Sequence, residues 1–195
     1  MVLVPIQELP AARVPRVICW HSLICVLIAF FLLGGLAFAE GPCSSIDVFF
    51  SPKGGCSDAI IREITNAKSA VMVSALSLTS ESIGKALIDA HKRGVKVEII
   101  LNKEKKISVY GVADFFHNAG ILVWIDSIHA INHNKIMVMD GCTVITGSFN
   151  FTERAEEKNA ENLLVIRDKK VAEKYVDNWR MHREHSQSYK GKNLR

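Results

Sequence analysis

Hydrophobic positions change period repeatedly after residue 45, and each change marks an element. Ile46-Asp-Val-Phe-Phe50 reads as a strand, and Ser51-Pro-Lys-Gly-Gly55 as the turn that follows it. Ser57 fits a helix N-cap, with Ile60, Ile61 and Ile64 spaced for one helical face. Ala70 to Leu76 is a second strand. Ser80 to Arg93 has helical period and stops at Gly94, whereas Val95 to Leu101 alternates with period two. A helix over 108–118, closed by Gly120, and a strand over 121–125 come next. Lys135 to Met139 and Thr143 to Thr146 flank Asp140-Gly141, a pair that tight hairpins favour. Glu161 to Arg167 predicts a last strand, and Lys169 to about His185 a final helix carrying Val171, Tyr175 and Trp179. Strands separated by helices of ten or more residues predict one α/β domain, with a mixed, largely parallel sheet flanked by helices on both faces.

The first 39 residues have a different character. Arg13 and Arg16 precede the apolar run Leu23 to Leu33, and Ala37-Phe-Ala39 supplies a small-residue cleavage site. That order predicts a signal peptide over 1–39, cut after Ala39, and hence a periplasmic or secreted domain over 40–185. The alternative is an uncleaved anchor in the inner membrane over residues 17–38, an apolar stretch long enough to span a bilayer. Residues 186–195 form a polar tail, expected to fray.

Without residues 1–39 the chain's 24 basic and 20 acidic residues become 22 and 19, a net charge of +3. This mild excess suits an anionic partner, nucleic acid or lipid surface alike. Cys19 and Cys25 leave with the leader, and Cys43, Cys56 and Cys142 remain. In an oxidising compartment Cys43 and Cys56, flanking the first strand, are placed to pair; three unpaired thiols are the alternative. No zinc spacing exists among these cysteines.

The chemistry concentrates in His133-Asn-Lys135-Ile-Met-Val-Met-Asp140 and Gly147-Ser148-Phe149-Asn150. Two residues apart on an extended strand, His133 and Lys135 leave the same face about 6.5 to 7 Å apart, so one phosphoryl group can touch both. An imidazole attacks phosphorus and leaves readily, which divides one hard displacement into two easier ones. The Lys135 cation and the Asn150 amide suit the charge that builds on non-bridging oxygens. Ser148 can hydrogen-bond the histidine or a phosphate oxygen, and Gly147 permits close backbone approach. Asp140 lies at the hairpin turn, facing away from the pair, where turn geometry and a charge partner explain it without chemistry. No metal is expected in this set, because Lys135 stands where a two-metal site needs a ligand.

The run HNKIMVMDGCTVITGSFN resembles the HxK(x)4D signature of the phospholipase D superfamily. Phe151-Thr152-Glu153-Arg154 and Asn159-Ala160-Glu161-Asn162 extend the likeness to the short, single-motif bacterial branch that includes non-specific periplasmic endonucleases, over residues 46 to 185. The resemblance implies His133 as nucleophile, Lys135 as its catalytic partner, Asp140 as part of the catalytic signature, and Glu161 as the carboxylate that holds the histidine. It also implies a phosphodiesterase without cofactor, acting on nucleic acid, with phospholipid as the alternative substrate and a non-catalytic nucleic-acid- or lipid-binding module as the alternative outside enzymes. Lys103, Lys105 and Lys106 lean toward a polyanion. Phosphorus must meet one histidine as nucleophile and another as acid, and this chain has one motif. Two chains sharing one site in a homodimer are therefore expected.

Overall fold

The computed structural model describes residues 44–103 and 107–191, with side chains over 45–103 and 111–191. Predicted features at 1–43 lie outside the described residues. The strands are β1 (Ser44–Ser51), β2 (Ala70–Ala75), β3 (Lys96–Asn102), β4 (Leu122–Asp126), β5 (Lys135–Met139), β6 (Thr143–Gly147), β7 (Glu161–Asp168) and β8 (Gln187–Ser188). The helices are α1 (Cys56–Asn66), α2 (Glu81–Lys92), α3 (Ile107–Asn118), α4 (Glu153–Glu157) and α5 (Lys169–Glu184).

These strands form one open mixed sheet in the order β1-β7-β6-β5-β2-β3-β4-β8. Only β2–β3 and β3–β4 are parallel, joined through α2 and α3; the other neighbours are antiparallel. The sheet is thus mixed as expected, but its parallel part is confined to the three strands that βαβ crossovers connect. Period-two alternation divides it into two cores. Val71, Val73, Ile99, Met137 and Met139 pack with the buried stripes of α1 and α2 on one face. Ile136, Val138 and Val144 pack against Ala172 of α5 on the other. Trp179 anchors α5 by donating its indole N–H to the Val73 carbonyl at 2.8 Å.

Several local expectations change. Gly55, not Ser57, is the N-cap of α1, and the cap comes from far along the chain: Glu156 accepts from Gly55 N at 3.1 Å and Ser57 N at 2.8 Å. A carboxylate at a helix N-terminus also complements the helix dipole. The tail is ordered through β8, which pairs with β4, and Tyr189 N donates to the Val123 carbonyl. The predicted Cys43–Cys56 bridge does not form. Cys56 is a free, fully buried thiol at the start of α1, and burial, assisted by Glu156, pushes its pKa up to about 11. Cys142 is the disulfide-bonded one, its partner outside the described residues.

Candidate active site

The site collects where β2 ends, β5 begins, β6 ends and β7 begins. Lys135 pairs with Ala75, the last residue of β2, and shares the face of Met137 and Met139, so the helices on that face enclose its stem. Lys135 is 7% exposed, whereas His133, two residues earlier in the β4–β5 loop, is exposed. The ammonium donates to the His133 carbonyl at 2.9 Å and lies 3.2 and 3.4 Å from Nδ1 and Nε2 of its ring. Burial pulls the Lys135 pKa below the ordinary lysine value; the Glu161 carboxylate pulls it back only in part.

A buried amide holds the loop that presents His133. Asn132 N donates to Asn102 Oδ1 at 2.8 Å at the end of β3, and Asn132 Nδ2 donates to Ser74 Oγ at 3.1 Å on β2. Its Oδ1 accepts from Asn134 Nδ2 at 2.8 Å. Asn132, Asn102 and Ser74 are buried polar residues that the sequence reading passed over. Polar residues at the ends of otherwise apolar strands were the available signal.

The second half of the motif is built on a close approach. Gly147 has φ 145°, and a Cβ there would fall 2.3 Å from the Asn162 carbonyl oxygen, which accepts from Ser148 N and Phe149 N. Only glycine fits. The Ser148 hydroxyl donates to Glu161 Oε2 at 2.6 Å and accepts from Asn162 N at 3.0 Å. Its single proton is therefore engaged in fixing Glu161 rather than turned toward His133. Glu161 Oε1 also accepts from Asn159 Nδ2 at 3.1 Å. Among the described residues Glu161 makes no hydrogen bond to His133; it holds Ser148 and acts on the charge of Lys135. Asn150 does not cap the next helix, since the Thr152 hydroxyl accepts from Ala155 N at 3.1 Å. The Asn150 Oδ1 is buried and without a partner.

Asp140 stands at the far end of β5 and takes no part in this cluster. With Asp140 at φ 54° and Gly141 at φ 63°, both central residues of the turn are left-handed, and Cys142 N donates to the Met139 carbonyl at 3.0 Å before Thr143 pairs with Met139. The carboxylate accepts from Lys68 N, Ser69 N, Ser69 Oγ and Ala70 N at 2.8 to 3.0 Å. Burial alone raises its pKa, but these bonds outweigh it and hold the group below the ordinary carboxylate value. The carboxylate clamps the entry of β2 to the hairpin.

A buried ammonium beside an exposed imidazole, with a fixed carboxylate acting on the ammonium's charge, can bind an anionic phosphoryl group and offer it a nucleophile. Among the described residues no helix is long and apolar enough to cross a membrane.

Residues 60–182 match the family model described as the PLD-like domain of cardiolipin synthase. The chain is 39% identical over 136 residues to a phospholipase D of Rickettsia prowazekii, covering 70% of this chain and 66% of that protein. It is 26% identical over 148 residues to a mitochondrial cardiolipin hydrolase of Xenopus laevis, covering 71% and 70%. Among solved structures, the phospholipase D family member Nuc from Salmonella typhimurium superposes with a TM-score of 0.72 at 35% identity, covering 75% of this chain and 99% of Nuc.

Proposed function

Because the chain belongs to the phospholipase D superfamily of phosphodiesterases, we propose that it cleaves phosphodiesters through a phosphohistidine on His133, with no metal at the phosphate. The observation that carries this reading is the buried Lys135 ammonium against the exposed His133 ring. A ring nitrogen of His133 attacks phosphorus, the P–N bond forms, and the P–O bond to the leaving alcohol breaks. A second imidazole protonates that oxygen and then takes a proton from the water that breaks the P–N bond. Lys135 offsets charge on the non-bridging oxygens, and Glu161, held by Ser148 and Asn159, keeps that cation protonated.

The second imidazole comes from a second copy of the chain. Exposure of His133 leaves it open to a partner, and a two-fold axis there brings both copies to one phosphate. Mixing wild-type and His133→Ala subunits equally should leave about a quarter of the dimers competent. A linear dependence of activity on wild-type fraction, instead of a squared one, rules the shared site out.

Nucleic acid is the proposed substrate, cleaved with little sequence preference, since the described residues of the site provide for phosphate and none of them is placed to read a base. The domain acts after export through residues 1–39. A second reading, phospholipid, is favoured by Ile128 and Ile131, both more than half exposed just ahead of His133. Plasmid DNA and phosphatidylcholine vesicles, assayed side by side in EDTA, decide between them. Cleavage of neither, in EDTA and equally in chelator-free buffer, by protein whose fold is verified, overturns the phosphodiesterase reading.

A further inference from the structure

Four residues outside the motif converge at the end of β4. Asp126 is its last residue, His129 follows three positions later, and His182 and His185 close α5. Their ligand atoms all lie within 4.8 Å of one another. The Asp126 side chain is fully buried, with Oδ2 2.9 Å from His129 Nδ1 and 3.5 Å from His182 Nδ1, and Oδ1 3.9 Å from His185 Nε2.

Hydrogen bonding does not account for this grouping. His129 Nδ1 bonds Asp126, but His182 Nδ1 and His185 Nε2 are buried with no hydrogen-bond partner. Buried polar atoms without partners are costly, and two at one carboxylate in an otherwise well-bonded fold need an explanation. Protonating all three rings would place like charges around one carboxylate, with ring centroids only 4.9 to 5.3 Å apart. A divalent cation satisfies every atom at once. Zinc bonds of about 2.0–2.1 Å imply tetrahedral ligand separations of roughly 3.3–3.4 Å; the contacts at Asp126 run from 2.9 to 3.9 Å and the whole group lies within 4.8 Å, so small side-chain shifts bring all four atoms to one ion. Three imidazoles and one carboxylate suit zinc and disfavour calcium or magnesium, which take oxygen ligands.

We propose that Asp126, His129, His182 and His185 form a four-ligand zinc-class site that fastens the end of α5 to β4 and to the loop leading to His133. With four protein ligands the metal has no open position, so it is structural, and no reaction step passes through it. By stiffening residues 127–134 it would position the nucleophile together with Asn132. This inference does not depend on the phosphodiesterase reading.

The purified full chain, stripped with a chelator and dialysed against zinc, should retain one zinc per chain and show a higher unfolding temperature than the stripped form. Cobalt(II) should give the intense visible bands of a tetrahedral site. The His182→Ala/His185→Ala variant should lose both signals, whereas His133→Ala and His91→Ala keep them. Zinc-edge X-ray absorption on the wild-type chain needs no variant and should show nitrogen and oxygen ligands with imidazole outer-shell scattering. Substoichiometric zinc in the wild-type chain, sulfur ligands, or zinc retained by the double variant overturns the proposal.

Discussion

At one end of β5 a buried ammonium lies against the His133 ring; at the other, the Asp140 carboxylate collects three backbone N–H groups and a hydroxyl from residues 68–70. In the sequence both ends belong to one motif. In the fold they are separated by the length of a strand, and they meet different problems. Lys135 faces desolvation that lowers its pKa and must be kept charged, whereas Asp140 is exposed and well bonded. Under the proposed mechanism, a signature that reads as one catalytic unit therefore divides into chemistry at its start and architecture at its end.

Substitutions at the two ends should separate along activity and stability. His133→Ala has the largest expected effect, a fall in kcat of about 10⁴-fold or more, with unfolding temperature unchanged because the side chain is exposed. Wild-type turnover in the folded variant would end the assignment. Lys135→Met should lower kcat by about 10²–10³-fold, the scale of losing one group that stabilises transition-state charge. Because burial lowers the Lys135 pKa, activity should also fail on the alkaline side before a free lysine would titrate, and a pH–rate profile checks this. Glu161→Gln should cost up to about 10²-fold by loosening the placement of Ser148 and the charge on Lys135.

Asp140→Ala is the smallest in activity and the sharpest test of the division. It should destabilise by about 1–2 kcal/mol in urea unfolding while the folded fraction keeps a near-wild-type kcat. Its folded pKa is depressed, so its stabilisation is complete above the ordinary carboxylate range and fades as pH falls through the folded value. A large loss of kcat without loss of stability would return Asp140 to the chemistry.

Local patterns carried much of this fold into the sequence. The Asp140-Gly141 turn, the alternation through β3 and β5 and the buried stripe of α2 are set by neighbours within a few residues, and period and turn chemistry report them directly. What escaped was assembled across the chain. Glu156 caps a helix that begins a hundred residues earlier, and Glu153–Glu157 is too short to show a period. β8 has two residues and exists only because β4 offers it an edge. The site divides the same way. His133 and Lys135 announce themselves by spacing, but the Ser148–Glu161 bond and the Asn132 hub depend on strand partners that no spacing reveals. The Asp126 cluster left only its i, i+3 pairs, Asp126 with His129 and His182 with His185, as a trace.

Gly147 carries a consequence for any mutational survey of this protein. It has no side chain to offer a phosphate, yet an added methyl group would collide with the Asn162 carbonyl and push Ser148 and Glu161 out of place together. A screen scored on activity alone would rank position 147 beside His133 and report two catalytic residues. Scored on abundance as well, the two would part: His133 variants accumulate as folded, idle protein, and Gly147 variants fail to accumulate.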